Sequence, residues 1–366
     1  MRPVKIKTSP EIQKIAKILV EHSTKVKKGE RVQINADILA RDLVLEVYKQ
    51  IIQKGAFPSL HIGFEGLSYT YYKNASEEQL KNFPRISYFE IKNTQKVIHI
   101  RAPENEHELA TINPGRITQR QKTTKKISDF IHDKLRKNWV IFDYPVEDFA
   151  KSAGMPLNKY KKFVFEACMP DWNKLKNFMS KVKRVLDKGD KVRIKAKNTD
   201  ITFSIKGRNA VIGDGTNNMP DGEVFTSPVD NSAEGYITFT YPLERNGVFA
   251  KGIRLEFSKG KVIKASAREN FRVIDALLKS DEGAKRLGEL GIGCNFKIQK
   301  FTNHLLFDEK IGGTIHLALG LAFKECKGRN DSVVHADIVK DLRPKYGGGE
   351  VWVDNKLLIK DGKFMI

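Results

Sequence analysis

The chain changes texture at Lys188-Gly189-Asp190, and this change limits its possible folds more than any other feature. Before it, helical and extended patterns take turns. Ser9 and Pro10 open a helix striped by Ile12, Ile15, Ala16 and Leu19. Arg31 to Asn35 then predicts a strand, Leu39 to Lys54 a helix stopped by Gly55, and Leu60 to Phe64 a second strand. Glu77 to Tyr88 predicts a helix interrupted at Pro84, Val97 to Arg101 a strand, Ile117 to Lys137 a long basic helix, Trp139 to Asp143 a strand, and Trp172 to Leu186 a helix. Strands separated by helices have crossovers long enough for parallel pairing. Residues 1–187 therefore predict an α/β N-terminal domain with a largely parallel sheet.

After the change, short strands dominate. Lys191 to Ala196, Asp200 to Ile205, Gly235 to Tyr241, Gly252 to Phe257 and Val262 to Arg268 all read as extended. Ser258-Lys259-Gly260-Lys261 predicts a hairpin turn, and Val351 to Ile359 folds back at Asp354-Asn355. One helix is expected from Phe271 to Leu287, ending in the run Gly288-Glu289-Leu290-Gly291-Ile292-Gly293. Residues 188–366 thus predict a β-rich α+β C-terminal domain, and two cores suit a length of 366 residues.

The net charge of +21 raises nucleic acid as a partner. Its distribution argues against one. Residues 1–200 hold 40 Lys and Arg against 23 Asp and Glu, whereas residues 201–366 hold 25 against 21, and the excess is spread over predicted helix faces. It is densest in Lys122 to Lys137 and Lys174 to Lys197, with no aromatic-interleaved RNA motif and no helix-turn-helix pattern. Cys168, Cys294 and Cys326 are odd in number and far apart, which suggests neither a disulfide framework nor a thiolate zinc site. Met1 to Lys7 is already charged and no apolar run reaches membrane-spanning length, so the expectation is a cytoplasmic protein without a membrane segment.

The chemistry concentrates in Leu305 to Leu342. Val333, Val334, Ile338 and Val339 favour an extended chain around His335-Ala336-Asp337, and a strand turns His335 and Asp337 to one side. An imidazole and a carboxylate side by side offer N and O ligands to a divalent first-row metal, although an isolated pair of this kind also fits a strand end at the surface. His316 alternates with Ile315 and Leu317 in the same manner, and alone it reads equally as a core histidine. Glu223 follows the turn Met219-Pro220-Asp221-Gly222, while Glu289 stands between glycines just past the expected helix end. Each alone also fits a solvated turn glutamate. Together with Glu309 these residues form the oxygen-rich, histidine-poor set of a two-metal hydrolytic site. In such a site a carboxylate bridges two cations that acidify a bound water.

At these positions the chain resembles a known family. Asn217-Asn218-Met219-Pro220-Asp221-Gly222-Glu223-Val224-Phe225-Thr226-Ser227-Pro228, Asp281-Glu282-Gly283-Ala284 with Leu287-Gly288-Glu289, Leu306-Phe307-Asp308-Glu309-Lys310, His316-Leu317-Ala318-Leu319-Gly320 and His335-Ala336-Asp337 are similar, in this order, to the thermophilic aminopeptidases of the T and S type. Ala150 to Leu157, followed by Tyr160 and Phe163, carries the likeness into the first half. The resemblance implies a cytoplasmic, homodimeric exopeptidase acting on peptides, with two divalent ions, zinc, cobalt or manganese, held in the C-terminal domain. It places metal ligation on Glu223, Glu289, Glu309, His316, His335 and Asp337. Glu289, as bridge or general base, and in reserve Glu223, are expected to serve catalysis.

Two departures stand out. The family often has a tyrosine seven residues after the first of these histidines, where this chain has Phe323, and an aromatic residue where it has Ala336. The absent phenol removes a donor to the tetrahedral oxyanion. His316, His335 and Asp337 alone would also make the two-histidine, one-carboxylate face of a non-haem Fe(II) ring-cleaving dioxygenase. Retention of Glu223 and Glu289 favours the hydrolase, and a basic, non-catalytic binding protein ranks below both.

Overall fold

The computed structural model describes residues 8–135, 138–245 and 247–366. Met1 to Lys7, read as a charged start, and Lys137, the expected end of the basic helix, lie outside them. The described residues form two compact units. The first runs to Met169 and includes Gly215–Pro220, and the second comprises Pro170–Asp214 and Asp221–Ile366.

The first unit is built on a five-stranded sheet in the order Phe57–Gly63, Arg31–Asp37, Lys96–Arg101, Trp139–Asp143, Asn218–Met219. Every pairing in it is parallel. Val32, Ile34, Ile98, Ile100, Val140 and Phe142 are buried, as strands covered by helices require. The Ser9 hydroxyl caps the first helix, Pro10–Lys17, by accepting from Ile12 N at 3.3 Å. Ile12, Ile15 and Ala16 on that helix are buried, as are Leu43, Val44, Val47 and Ile51 on Arg41–Gln53, which packs against it.

The single helix expected over Glu77 to Tyr88 is two, Glu77–Lys81 and Arg85–Lys92. Pro84 lacks an N–H and disfavours helical backbone at Phe83, so it breaks the segment rather than bending it. A further helix, Leu67–Asn74, precedes them; it buries no residue and so has no apolar stripe to read. The basic helix begins three residues early, at Pro114, because Asn113 accepts from Gly115 N at 2.8 Å.

The second unit opens with Trp172–Lys188, capped by Asp171 and burying Met179, Val182 and Leu186. Two antiparallel sheets succeed it. The larger has eight strands, ordered Lys261–Ser266, Arg254–Ser258, Glu234–Thr238, Thr199–Ser204, Lys191–Ala196, Gly349–Val353, Lys356–Lys360, Lys363–Phe364. The smaller runs His335–Asp341, Thr314–Gly320, Leu287–Gly293, Glu223–Thr226, Val211–Gly213. Ile194, Ile201, Phe203 and Leu255 from the first and Val224, Leu290, Ile292, Ile315, Leu317 and Ile338 from the second share one core. Cys168, Cys294 and Cys326 are free and buried.

The helix expected from Phe271 to Leu287 ends at Leu278. Asp281 stops it. Its carboxylate accepts from Ala284 N at 2.8 Å, Ser332 Oγ at 2.9 Å and Val333 N at 2.7 Å, pinning the chain to a distant loop. The glycine-rich run beyond is not a turn: Leu287–Gly293 is a fully buried central strand, and Glu289 lies within it.

Candidate metal centre

The register of the smaller sheet assembles the candidate residues. Glu289 pairs with Ala318, and Ala318 with Asp337, so two carboxylates flank one methyl group across three strands. Two residues further along the central strand His316 faces Gly291, while Gly293 faces Glu223. His335, two before Asp337, shares its side of the strand. Val224, Leu290, Ile292, Ile315, Leu317, Ala336 and Ile338 alternate with these residues and enter the core. Period two thus separates a polar face from an apolar one on four adjacent strands.

Gly291 is what allows the imidazole to lie down on that face. A Cβ there would stand 2.0 Å from two atoms of the His316 ring. Glycine in this strand therefore provides room for a neighbour, which is a different use from the backbone freedom of a turn.

The distances are short. His316 Nε2 lies 3.2 Å from Glu289 Oε1, 3.4 Å from Glu223 Oε2 and 3.8 Å from Asp337 Oδ1. His335 Nε2 lies 3.3 Å from Asp337 Oδ2 and 3.5 Å from Glu289 Oε2. Behind each ring a carbonyl fixes the other nitrogen: His316 Nδ1 donates to Glu309 O at 3.2 Å, and His335 Nδ1 to Leu321 O at 2.8 Å. That tautomer turns both Nε2 atoms toward the acids, as a metal-ligating histidine requires. Glu309 comes directly after the short helix Leu305–Asp308, which is fastened by Asp308 accepting from Thr302 N and His304 N at 2.7 and 2.8 Å.

Burial makes this an expensive arrangement without cations. It opposes charging His316, yet the hydrogen bond to Glu289 and the charges of Glu223 and Asp337 outweigh it and push the imidazole up to about 10. His335 is also pushed up to about 10, its burial overcome by Asp337 and Glu289. Desolvation raises Glu223 to about 8 and raises Glu289 as well, whereas His335 draws Asp337 down to about 2 against its own burial. Glu223 Oε2, Glu289 Oε2 and Asp337 Oδ1 are buried and accept no hydrogen bond. Lone pairs withheld from water and aimed at one place are what divalent cations satisfy, so this donor set fits metal ions.

Ligand atoms of three residue groups come within 4.8 Å of one another: Glu223, Glu289 and His316; Glu289, His335 and Asp337; Glu309, His316 and Asp337. All six residues singled out in the sequence fall in this cluster, and Glu289 belongs to two of the groups. Lys310 joins them, a residue that closes one of the family-like motifs in the sequence but has no role assigned to it there. It is fully buried, with Nζ 3.5 Å from Glu223 Oε1 and in contact with Glu309. These two acids hold its ammonium charged despite the burial. A lysine after two acids reads as a solvated turn, and only the fold shows it facing inward. Phe323 is at the rim, its ring centroid 4.9 Å from that of His335 and 5.7 Å from that of Phe225.

Comparison with known proteins points to a metalloprotease. Residues 8–364 match the family described as thermophilic metalloprotease (M29). Aminopeptidase 2 of Geobacillus stearothermophilus is 24% identical over an alignment covering 96% of this chain and 95% of that protein. Aminopeptidase T of Thermus thermophilus is 33% identical over 33% of each chain. The solved structure of wild-type AmpT from Thermus thermophilus superposes with a TM-score of 0.84 at 22% identity, covering 97% of this chain and 99% of that one. Nothing in these comparisons favours a ring-cleaving dioxygenase.

Proposed function

The chain belongs to the thermophilic metalloprotease (M29) family, and from that premise we propose that it is a metal-dependent aminopeptidase releasing N-terminal residues from peptides. The observation that supports this most is Glu289, a buried carboxylate shared by two imidazole-containing groups on one sheet face. Glu223, Glu289 and His316 would hold one divalent ion and Glu289, His335 and Asp337 a second, with Glu309 completing the set. Zinc, cobalt and manganese suit such mixed nitrogen and oxygen donors. Bound there, divalent ions polarise a peptide carbonyl and bring a water toward neutral pKa.

The protein's own groups divide the remaining work. Glu289 is the carboxylate we assign to the attacking water, as bridge between the ions or as general base. Glu223 is its reserve. The carbonyl oxygens of Glu309 and Leu321 keep both imidazoles in the ligating tautomer, and Lys310 sets its ammonium against Glu223 and Glu309. Phe323 at the rim brings no phenol of its own to the oxyanion.

Among the described residues no helix is long and apolar enough to cross a membrane, and we place the protein in the cytoplasm. We also propose a homodimer. The edge strand Phe57–Gly63 exposes Phe57, Leu60 and Ile62, and nearby in sequence Ile86 and Phe89 are 78% and 69% exposed, more apolar surface than a solitary subunit ordinarily leaves bare.

Metal analysis of the purified protein, a panel of aminoacyl amides and an oxygen-uptake assay test the assignment together. His335→Ala and Asp337→Ala should each lower the metal-to-protein ratio and abolish hydrolysis, since each removes a proposed ligand. Full metal content in both variants would rule the ligand assignment out. One metal per chain, no release of N-terminal residues with zinc, cobalt or manganese, and oxygen consumption with iron would together overturn the peptidase.

A further inference from the structure

A cavity of about 350 Å³ adjoins the cluster, and His335, Ala336 and Asp337 are among its lining. A small hairpin, Leu243–Arg245 paired with Val248–Ala250, also lines it, and Phe249, Phe301 and Leu305 add apolar surface. The volume is near the lower end of small-molecule sites and suits a ligand of one or two amino-acid residues. Seven of its thirteen lining residues are apolar, and among the polar ones Arg245 brings the guanidinium. Its Nη1 is buried without a hydrogen-bond partner among the described residues.

The acids nearby do not answer it. Glu244, its neighbour in the hairpin and also on the lining, accepts from Gly247 N instead. Asp308, which also lines the cavity, has both carboxylate oxygens engaged, Oδ1 with Thr302 and Oδ2 with His304 N. A buried guanidinium donor is costly to leave unmade, and its planar fork matches a carboxylate better than any other common group. What the chain does not supply, a ligand can.

Resting on the aminopeptidase reading, we propose that Arg245 receives a carboxylate of the substrate, so that this site prefers peptides that present an acid to the hairpin in the cavity it shares with His335 and Asp337. Two sources share that chemistry: the free C-terminal carboxylate of a dipeptide, and the side chain of an acidic residue. The apolar lining accounts for the aliphatic or aromatic remainder of such a ligand.

The test uses the purified protein and a hydrolysis-resistant probe, Leu-Leu with a reduced central bond, as the free acid and as the carboxamide. Calorimetric titration should show the acid binding at least about 10-fold more tightly than the carboxamide, the worth of one charge-assisted pair. The preference should disappear in Arg245→Gln and survive in part in Arg245→Lys, while binding of the carboxamide reports that the cavity is still formed. A parallel comparison of glutamyl and glutaminyl p-nitroanilides identifies the source: an Arg245-dependent preference for the glutamyl compound assigns the acidic side chain, and one confined to the Leu-Leu probe assigns the C-terminus. Equal affinities for acid and carboxamide together with equal kcat/KM for the two anilides overturn the proposal. Absence of any peptide hydrolysis would count against the aminopeptidase reading alone, because the titration needs no turnover.

Discussion

His316 lies flat over Gly291 on the neighbouring strand, in space that any side chain at 291 would fill, since a Cβ there would come within 2.0 Å of the ring. The imidazole is held from both ends, by Glu309 O at 3.2 Å and by Glu289 Oε1 at 3.2 Å, and therefore has nowhere to retreat.

Gly291→Ala should for that reason act as a metal-site mutation although residue 291 has no ligand atom. Overpacking a filled core costs about 1–3 kcal/mol, and here the strain falls on the His316 ring. The expected result is a lower melting temperature together with a reduced metal-to-protein ratio by elemental analysis. A variant that retains its full metal complement would show that the ring tolerates displacement.

Glu289→Gln preserves shape and removes the proton-accepting oxygen. Turnover of a leucyl substrate should fall by at least ~10² while the far-UV dichroism spectrum is unchanged. Wild-type turnover in this variant would transfer the role to Glu223, the other buried glutamate in contact with His316.

Phe323→Tyr asks whether a missing hydroxyl limits the rate. The ring is 37% exposed and borders His335, so a phenol oxygen can be added without burying it. If it reaches the oxyanion, kcat for leucine p-nitroanilide should rise, by up to ~10², with little change in KM. A rate that does not move would mean the phenol cannot reach the reacting carbonyl.

A pH effect is expected in the first unit. Burial, reinforced by the charges of Arg101 and His132, depresses His99 to about 4, and Asn35 Nδ2 lies 3.4 Å from its Nδ1. A histidine with a lowered folded-state pKa binds fewer protons folded than unfolded between about 4 and its ordinary value near 6.5. Stability present above about pH 6.5 is therefore lost as the pH falls toward about 4, by no more than about 3 kcal/mol. Thermal unfolding of wild type and His99→Gln across that window should show the wild type losing more; parallel curves would exclude His99 as the cause.

The parts of this molecule legible in the sequence are those with a local period. His335 and Asp337 declare a shared face because β-branched residues surround them, and the first sheet follows from the alternation of strands and helices. Glu289 reads as lying just past a helix end, because glycine signals a turn far more often than clearance for a ring on the paired strand. Pro84 signals an interruption, but whether a proline bends or severs a helix depends on what the second half packs against. Arg245 leaves no trace, and Lys310 only a place at the end of a motif. Each is an ordinary charge in its own segment and becomes unusual only through burial set by distant residues.

Lys310 also bears on the order in which this protein is made. A cluster of carboxylates answered only by imported ions would repel itself while the core closed, and folding would have to wait for loading. The ammonium of Lys310 travels on the same short turn as Glu309 and reaches Glu223 as the strands dock, so part of the charge is neutralised by the polypeptide itself. Closure of the core and capture of metal are thus expected to be separable events. A chelator should then strip the ions and leave the far-UV dichroism spectrum unchanged.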